Sequence, residues 1–159
     1  MFVTARGSEP MRRVDTVRAV PGGLEGDRYL DHVGYWTPLG DECEVTMIEG
    51  EALDEIESRH GVSVGNGEHR RNLVTRGVVL RELSGKRFRV GGALMEYDRP
   101  RPPCRYVESI TEPGMTRALA ARRGGICARV LEEGVVRVGD AIEVVGEIPA
   151  RGIRGLLRR

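Results

Sequence analysis

A chain of 159 residues is the size of a single domain and can bury a core without disulfide or metal staples. Its hydrophobic fraction of 40% and charged fraction of 31% exclude a disordered segment, and 25 Lys+Arg against 24 Asp+Glu exclude a surface built to seek nucleic acid. With 22 Gly, 8 Pro and only 4% aromatic residues, the composition favours short strands and tight turns over long helices.

The pattern predicts a first strand over Arg13–Val20, where Val14, Thr16, Arg18 and Val20 alternate with their neighbours until Pro21-Gly22-Gly23 breaks the run. A polar loop, Leu24–Asp41, leads to a short strand Glu44–Ile48 and then to a helix from about Glu49 to His60. On that helix Ala52, Leu53 and Ile56 share a face with Ile48, and Gly61 is the stop. Asn72–Thr75 and Phe88–Val90 read as strands, the latter turning at Gly91-Gly92 into a return strand Leu94–Asp98. Met115, Ala118 and Leu119 suit a short helix ended by Gly124-Gly125. A second hairpin about Glu133-Gly134 is expected to join Ile126–Leu131 to Val135–Val138, followed by a strand Ile142–Val145. Such a chain is mainly β with a few helices, and a barrel-like sheet is its natural closure.

No stretch reaches the roughly 20 apolar residues of a membrane span, and Met1–Pro10 lacks the apolar core of a secretory signal, so a cytoplasmic location is expected. The segment Arg151–Arg159 is basic. A frayed, solvated end is the plainest reading of it; contact with an acidic partner or lipid headgroups is the other.

Cys104 is the leading candidate for chemistry. It lies in Arg99-Pro100-Arg101-Pro102-Pro103-Cys104-Arg105, where prolines stiffen the backbone and neighbouring positive charge favours the thiolate, which is both nucleophile and soft-metal ligand. The opposing reading is an inert thiol beside a solvated basic loop. Cys127 falls in an apolar strand pattern and reads as core, whereas the acidic run around Cys43 should raise its pKa and argues against chemistry there. Arg70-Arg71-Asn72, entering a strand after the glycine-rich Gly65-Asn66-Gly67, offers guanidinium forks and an amide to a phosphate. A solvated strand edge is the commoner explanation for the two arginines. Asp27 and Arg28 either pair to stabilise a turn or point at a ligand. His32, His60 and His69 lack the spacing of a zinc site, though His69 beside Arg70 is placed to help hold an anion.

In order, these pieces resemble the MOSC domain, the C-terminal part of molybdenum-cofactor sulfurases. The matching segments are Val20-Pro21-Gly22-Gly23-Leu24-Glu25-Gly26-Asp27-Arg28-Tyr29, Arg70-Arg71-Asn72-Leu73-Val74-Thr75-Arg76-Gly77 and Leu83-Ser84-Gly85-Lys86-Arg87-Phe88-Arg89-Val90-Gly91. Pro103-Cys104, Gly124-Gly125-Ile126-Cys127-Ala128-Arg129-Val130 and Val138-Gly139-Asp140 complete the set. The resemblance implies a β-barrel-dominated MOSC domain over about residues 14–147, with an extension 1–13 and a basic tail 148–159. In reductase-type members it implies that the cysteine matching Cys104 ligates molybdenum of the pterin cofactor. Arg28, Arg70, Arg71 and Asn72 then help hold the pterin and its phosphate, and N-hydroxylated compounds are reduced. The family also implies a second chemistry, a cysteine persulfide carried for a partner such as a cysteine desulfurase or a molybdoenzyme. The enzyme class is thus an oxidoreductase or a sulfur transferase, with a non-catalytic binding module as the third reading. Strand edges on a small barrel make a dimer plausible.

Overall fold

A computed structural model of the chain describes residues 1–149. The expected basic tail falls almost wholly outside the described residues. The strands, in chain order, are β1 (Phe2–Val3), β2 (Arg12–Arg13), β3 (Thr16–Val20), β4 (Gly23–Leu24), β5 (Val45–Glu49), β6 (Leu73–Thr75), β7 (Lys86–Val90), β8 (Ala93–Pro100), β9 (Ile126–Glu132), β10 (Gly134–Arg137) and β11 (Ile142–Glu147). The helices are α1 (Gly50–His60), α2 (Arg105–Ser109) and α3 (Met115–Ala118). The protein is mainly strand, as its composition implies. Its centre is a six-stranded curled half-barrel in the order β11-β7-β8-β9-β5-β6, antiparallel except for the β5–β6 pair.

Alternation explains the sheet. Phe88 and Val90 on β7 face inward with Ala93 and Met95 on β8, and the glycine turn sets the register Phe88↔Met95 and Val90↔Ala93. One core lies inside the curl, built on Leu24, Val45, Met47, Phe88, Met95 and Val130. A second fills the space beneath the helices, where Ile48, Leu53, Ile56, Val107, Met115 and Leu119 meet. Helix α1 ends as its sequence implies, with Arg59 and His60 in the last turn and Gly61 as a left-handed cap at φ 64°.

Three expectations need correction. The first strand is broken: β2 pairs with β1, and only β3 carries the alternating run. The second hairpin does not form. Both edges of β9 are taken, by β8 and β5, so β10 leaves the large sheet and pairs with β3 through Val135↔Arg18 and Val136↔Val17. Gly134 permits the departure, since a Cβ there would lie 2.1 Å from the Gly92 carbonyl carbon. Finally, Gly124-Gly125 does not end α3, which stops at Ala118. The pair is needed for close approach instead, because a Cβ on Gly125 would stand 1.9 Å from the Met47 carbonyl oxygen.

Candidate functional site

At the end of β8 the chain passes through Arg101 and Pro102 into α2 and forms one wall of a narrow cleft. Arg28, Arg70 and Arg71 form the facing side, Cys104 and Tyr106 the rim, and Tyr29, Tyr35 and Trp36 complete the lining. The enclosed volume is about 40 Å³, room for a few waters or one small anion.

Local backbone geometry presents the dibasic pair. After the turn in which the Arg70 N–H donates to the Gly67 carbonyl at 2.9 Å, Arg70 adopts φ 63°, uncommon for a residue with a side chain. This turns two successive arginines into the cleft. The Arg70 Nη2 donates to the Gly7 carbonyl at 2.6 Å and its Nη1 to that of Glu9. Arg71 donates from Nε to the Gly124 carbonyl at 2.7 Å and from Nη1 to the His69 carbonyl at 3.2 Å. Both side chains are buried, which corrects the solvated-edge reading.

The four cleft arginines differ in their counter-charges. Arg28 pairs with the buried Asp27 at 3.2 Å, and Arg101 with Asp41 at 2.8 Å. Among the described residues no carboxylate forms a salt bridge with Arg70 or Arg71. Their guanidiniums rest on backbone carbonyls alone. Burial, reinforced by Arg28 beside the first and Arg101 beside the second, pulls each down to about 10. Two buried cations left without an anion are costly in a folded protein.

Asp27 and Arg28 answer both readings of their motif. Asp27 accepts from the Thr4 N–H at 3.1 Å and the Tyr29 N–H at 3.3 Å, holding the turn. The Arg28 Nη2 reaches the Arg70 carbonyl at 3.2 Å, and its guanidinium lies 4.4 Å from the Tyr29 ring centroid. Asn72 stands outside the cleft lining. Its Oδ1 accepts from the Thr46 N–H at 3.0 Å and the Thr46 hydroxyl at 2.8 Å, and its Nδ2 donates to the Phe2 carbonyl at 3.1 Å. It ties β6 to β5 and to the N-terminal strand just beyond Arg71. His69 is also behind the cleft. Its Nδ1 accepts the Arg71 N–H at 3.0 Å, its Nε2 is buried without a partner among the described residues, and burial with Arg71 alongside lowers its pKa to about 3.

Cys104 is half-buried and starts α2, its carbonyl receiving the Thr116 hydroxyl at 3.1 Å and the Val107 N–H at 3.2 Å. Of its sequence-neighbouring arginines, Arg99 is drawn to Asp98 and Asp41, while Arg101 shares the cleft with it. Across the rim Tyr35 and Tyr106 stack at 3.6 Å with planes 11° apart. Sequence reasoning missed the aromatics and Asp41. In a chain with 4% aromatic residues, Tyr29, Tyr35 and Trp36 falling within eight positions was the available signal. No group of three or more His, Cys, Asp or Glu among the described residues is placed to hold a metal ion.

The family model described as MOSC domain matches residues 34–143. The fold is similar to that of YuaD from Bacillus subtilis, at TM-score 0.75 and 20% identity over 93% of this chain and 94% of that one. YiiM from Escherichia coli superposes at TM-score 0.64 with 18% identity, covering 92% of this chain and 68% of its own. YiiM from Geobacillus stearothermophilus gives 0.58 with 24% identity over 70% and 57%. No curated relative matches the sequence.

Proposed function

The chain belongs to the MOSC domain family, and from that premise we propose that it binds the molybdenum-pterin cofactor, with Cys104 as the protein's ligand to the metal. The observation that carries this reading is the pair of buried, carboxylate-free guanidiniums, Arg70 and Arg71, in the same cleft as a half-buried thiol. Arg71 and Arg70 would receive the cofactor's phosphate, with Arg28 and Arg101 adding charge that their aspartates partly cancel. Asn72 would act at one remove, fixing the strand that follows Arg71. Tyr35 and Tyr106 offer flat faces to a planar heterocycle.

The donor set suits the group: one soft sulfur for the metal, several guanidiniums for a phosphate and aromatic rings for the pterin. The cleft's volume of about 40 Å³ suits the phosphate end, and the rest of the cofactor would extend towards the stacked tyrosines. When bound, the cofactor supplies two-electron chemistry of the kind that reduces N-hydroxylated compounds. The chain's own part is to hold the phosphate, to offer the Cys104 sulfur, and to screen the site from water with Tyr35, Trp36 and Tyr106.

Molybdenum per chain, by elemental mass spectrometry on protein from a host that makes the cofactor, tests the proposal. Near-stoichiometric metal in the wild type and its loss in Cys104→Ala are expected; metal absent from both would overturn it. The small cleft favours a second reading, a metal-free persulfide carrier in which Cys104 holds one sulfur for a partner enzyme. That reading expects a mass gain of one sulfur on Cys104 after incubation with a cysteine desulfurase, and a chain that stays unlabelled would rule it out.

A further inference from the structure

Behind the cleft lie two thiols that the proposed chemistry does not use. Cys127 sits on the central strand β9, opposite Thr46 on β5 and Arg99 on β8, with no exposed surface. Cys43 stands two residues before β5 begins and is equally enclosed. Though 84 residues apart in sequence, the two sulfurs are 2.7 Å apart, against about 2.05 Å in a formed disulfide. Neither is bonded to the other here; both are free thiols. Their one aromatic neighbour in that buried cluster is Tyr29, which also lines the cleft. Arg101, another lining residue, donates from Nη1 towards the Cys127 sulfur at 4.0 Å and from Nη2 to the Tyr29 hydroxyl at 3.0 Å.

We propose that Cys43 and Cys127 are a redox pair that closes into an internal disulfide directly behind the cleft wall. The geometry assigns the roles. Cys127 faces Arg101 and is the sulfur held as a nucleophile, while Cys43, in contact with Cys127 and turned partly towards the Val45 carbonyl at 3.8 Å, is the resolving thiol. The proton balance between them agrees: the hydrogen bond from Cys43, with Arg101, Arg99 and Arg71 nearby, lowers the Cys127 pKa, and the same hydrogen bond together with burial raises that of Cys43.

Because both sulfurs are enclosed, the oxidant has to be small, and hydrogen peroxide is the one proposed. The Cys127 sulfur attacks one peroxide oxygen, the O–O bond breaks, and one water leaves as the sulfur becomes a sulfenic acid. The Cys43 sulfur then attacks the Cys127 sulfur, the S–OH bond breaks, and the hydroxyl leaves as a second water with the Cys43 proton. Two thiols lose two electrons and two protons to one peroxide, and no other reagent is needed. The adjacent sulfurs make resolution faster than over-oxidation.

The test uses the full chain carrying Cys104→Ser, so that these are the only two thiols left. After brief peroxide treatment and removal of the excess, the protein is unfolded, alkylated and weighed intact. A mass lower by two hydrogens with no alkylation is expected, and two adducts should return after reduction. A non-reducing digest should link the peptides holding Cys43 and Cys127. In the further variant Cys43→Ser, checked for folding by circular dichroism, a dimedone adduct should trap the unresolved sulfenic acid on Cys127. Two alkylated thiols after oxidation, or sulfinic acid without a cross-link, would overturn the proposal and leave a simple S–H hydrogen bond.

Discussion

On the outer surface several arginines have carboxylate partners. Arg76 meets Asp54, Arg18 meets Glu133 at 2.9 Å, and Arg89 meets Glu132 at 2.9 Å, all with water at hand. In the cleft Arg28 and Arg101 are paired as well, but Arg70 and Arg71, where an uncompensated charge costs most, have no carboxylate partner among the described residues. Surface pairs of that kind add little to stability, so their presence says little about purpose. A charge kept buried and unpaired has to be explained by something outside the chain's own packing, and an anion is the simplest such thing.

Breaking a pair inside the cleft should give the largest effect. Asp27→Asn leaves Arg28 buried without its counter-charge and weakens the acceptor for two backbone N–H groups, so a loss of about 3–5 kcal/mol in chemical denaturation is expected. An acid titration of stability should show an effect of similar size from behind the cleft. The pKa of His69 is about 3 in the fold and 6.5 when unfolded, so the unfolded chain binds the extra proton. The stability that depends on neutral His69 is complete above pH 6.5 and is lost as pH falls towards 3, on the order of 5 kcal/mol in all. His69→Asn, which keeps an acceptor for the Arg71 N–H, should flatten that part of the curve.

Arg71→Met sharpens the contrast by removing a charge that has no carboxylate partner among the described residues. The lost hydrogen bonds to the Gly124 and His69 carbonyls offset the relief of desolvation, and the net change should stay within about 1 kcal/mol. At the outer surface Asp54→Asn should leave the thermal midpoint indistinguishable from wild type, although Arg76 then loses its ion-pair partner and keeps only the more distant Glu51.

The sequence carried the parts of the fold that are local. The β7–β8 hairpin was readable because Gly91-Gly92 and the alternation around it lie within a few residues. Helix α1 was readable from its apolar face and Gly61. The departure of β10 was hidden because it depends on β9 being occupied on both sides, a fact about distant strands. The site shows the same division. Cys104 and its arginines stood out as neighbours in one segment, but the burial of Arg70 and Arg71 follows from carbonyls at Gly7, Glu9 and Gly124 and from one left-handed residue. Asn72 drew notice for the company it keeps, and its side chain serves the strand pairing behind the cleft. The meeting of Cys43 with Cys127 joins a residue just outside β5 to the start of β9, 84 positions away, and no local pattern carries it.

If the guanidiniums of Arg70 and Arg71 make the cleft an anion site, calorimetric titration of the apo protein with inorganic phosphate shows it most directly. Wild type and Asp54→Asn should bind one phosphate per chain with an affinity that weakens as salt rises, and Arg71→Met should bind at least about tenfold more weakly. Phosphate that binds no variant, or binds Arg71→Met as well as wild type, would contradict the account.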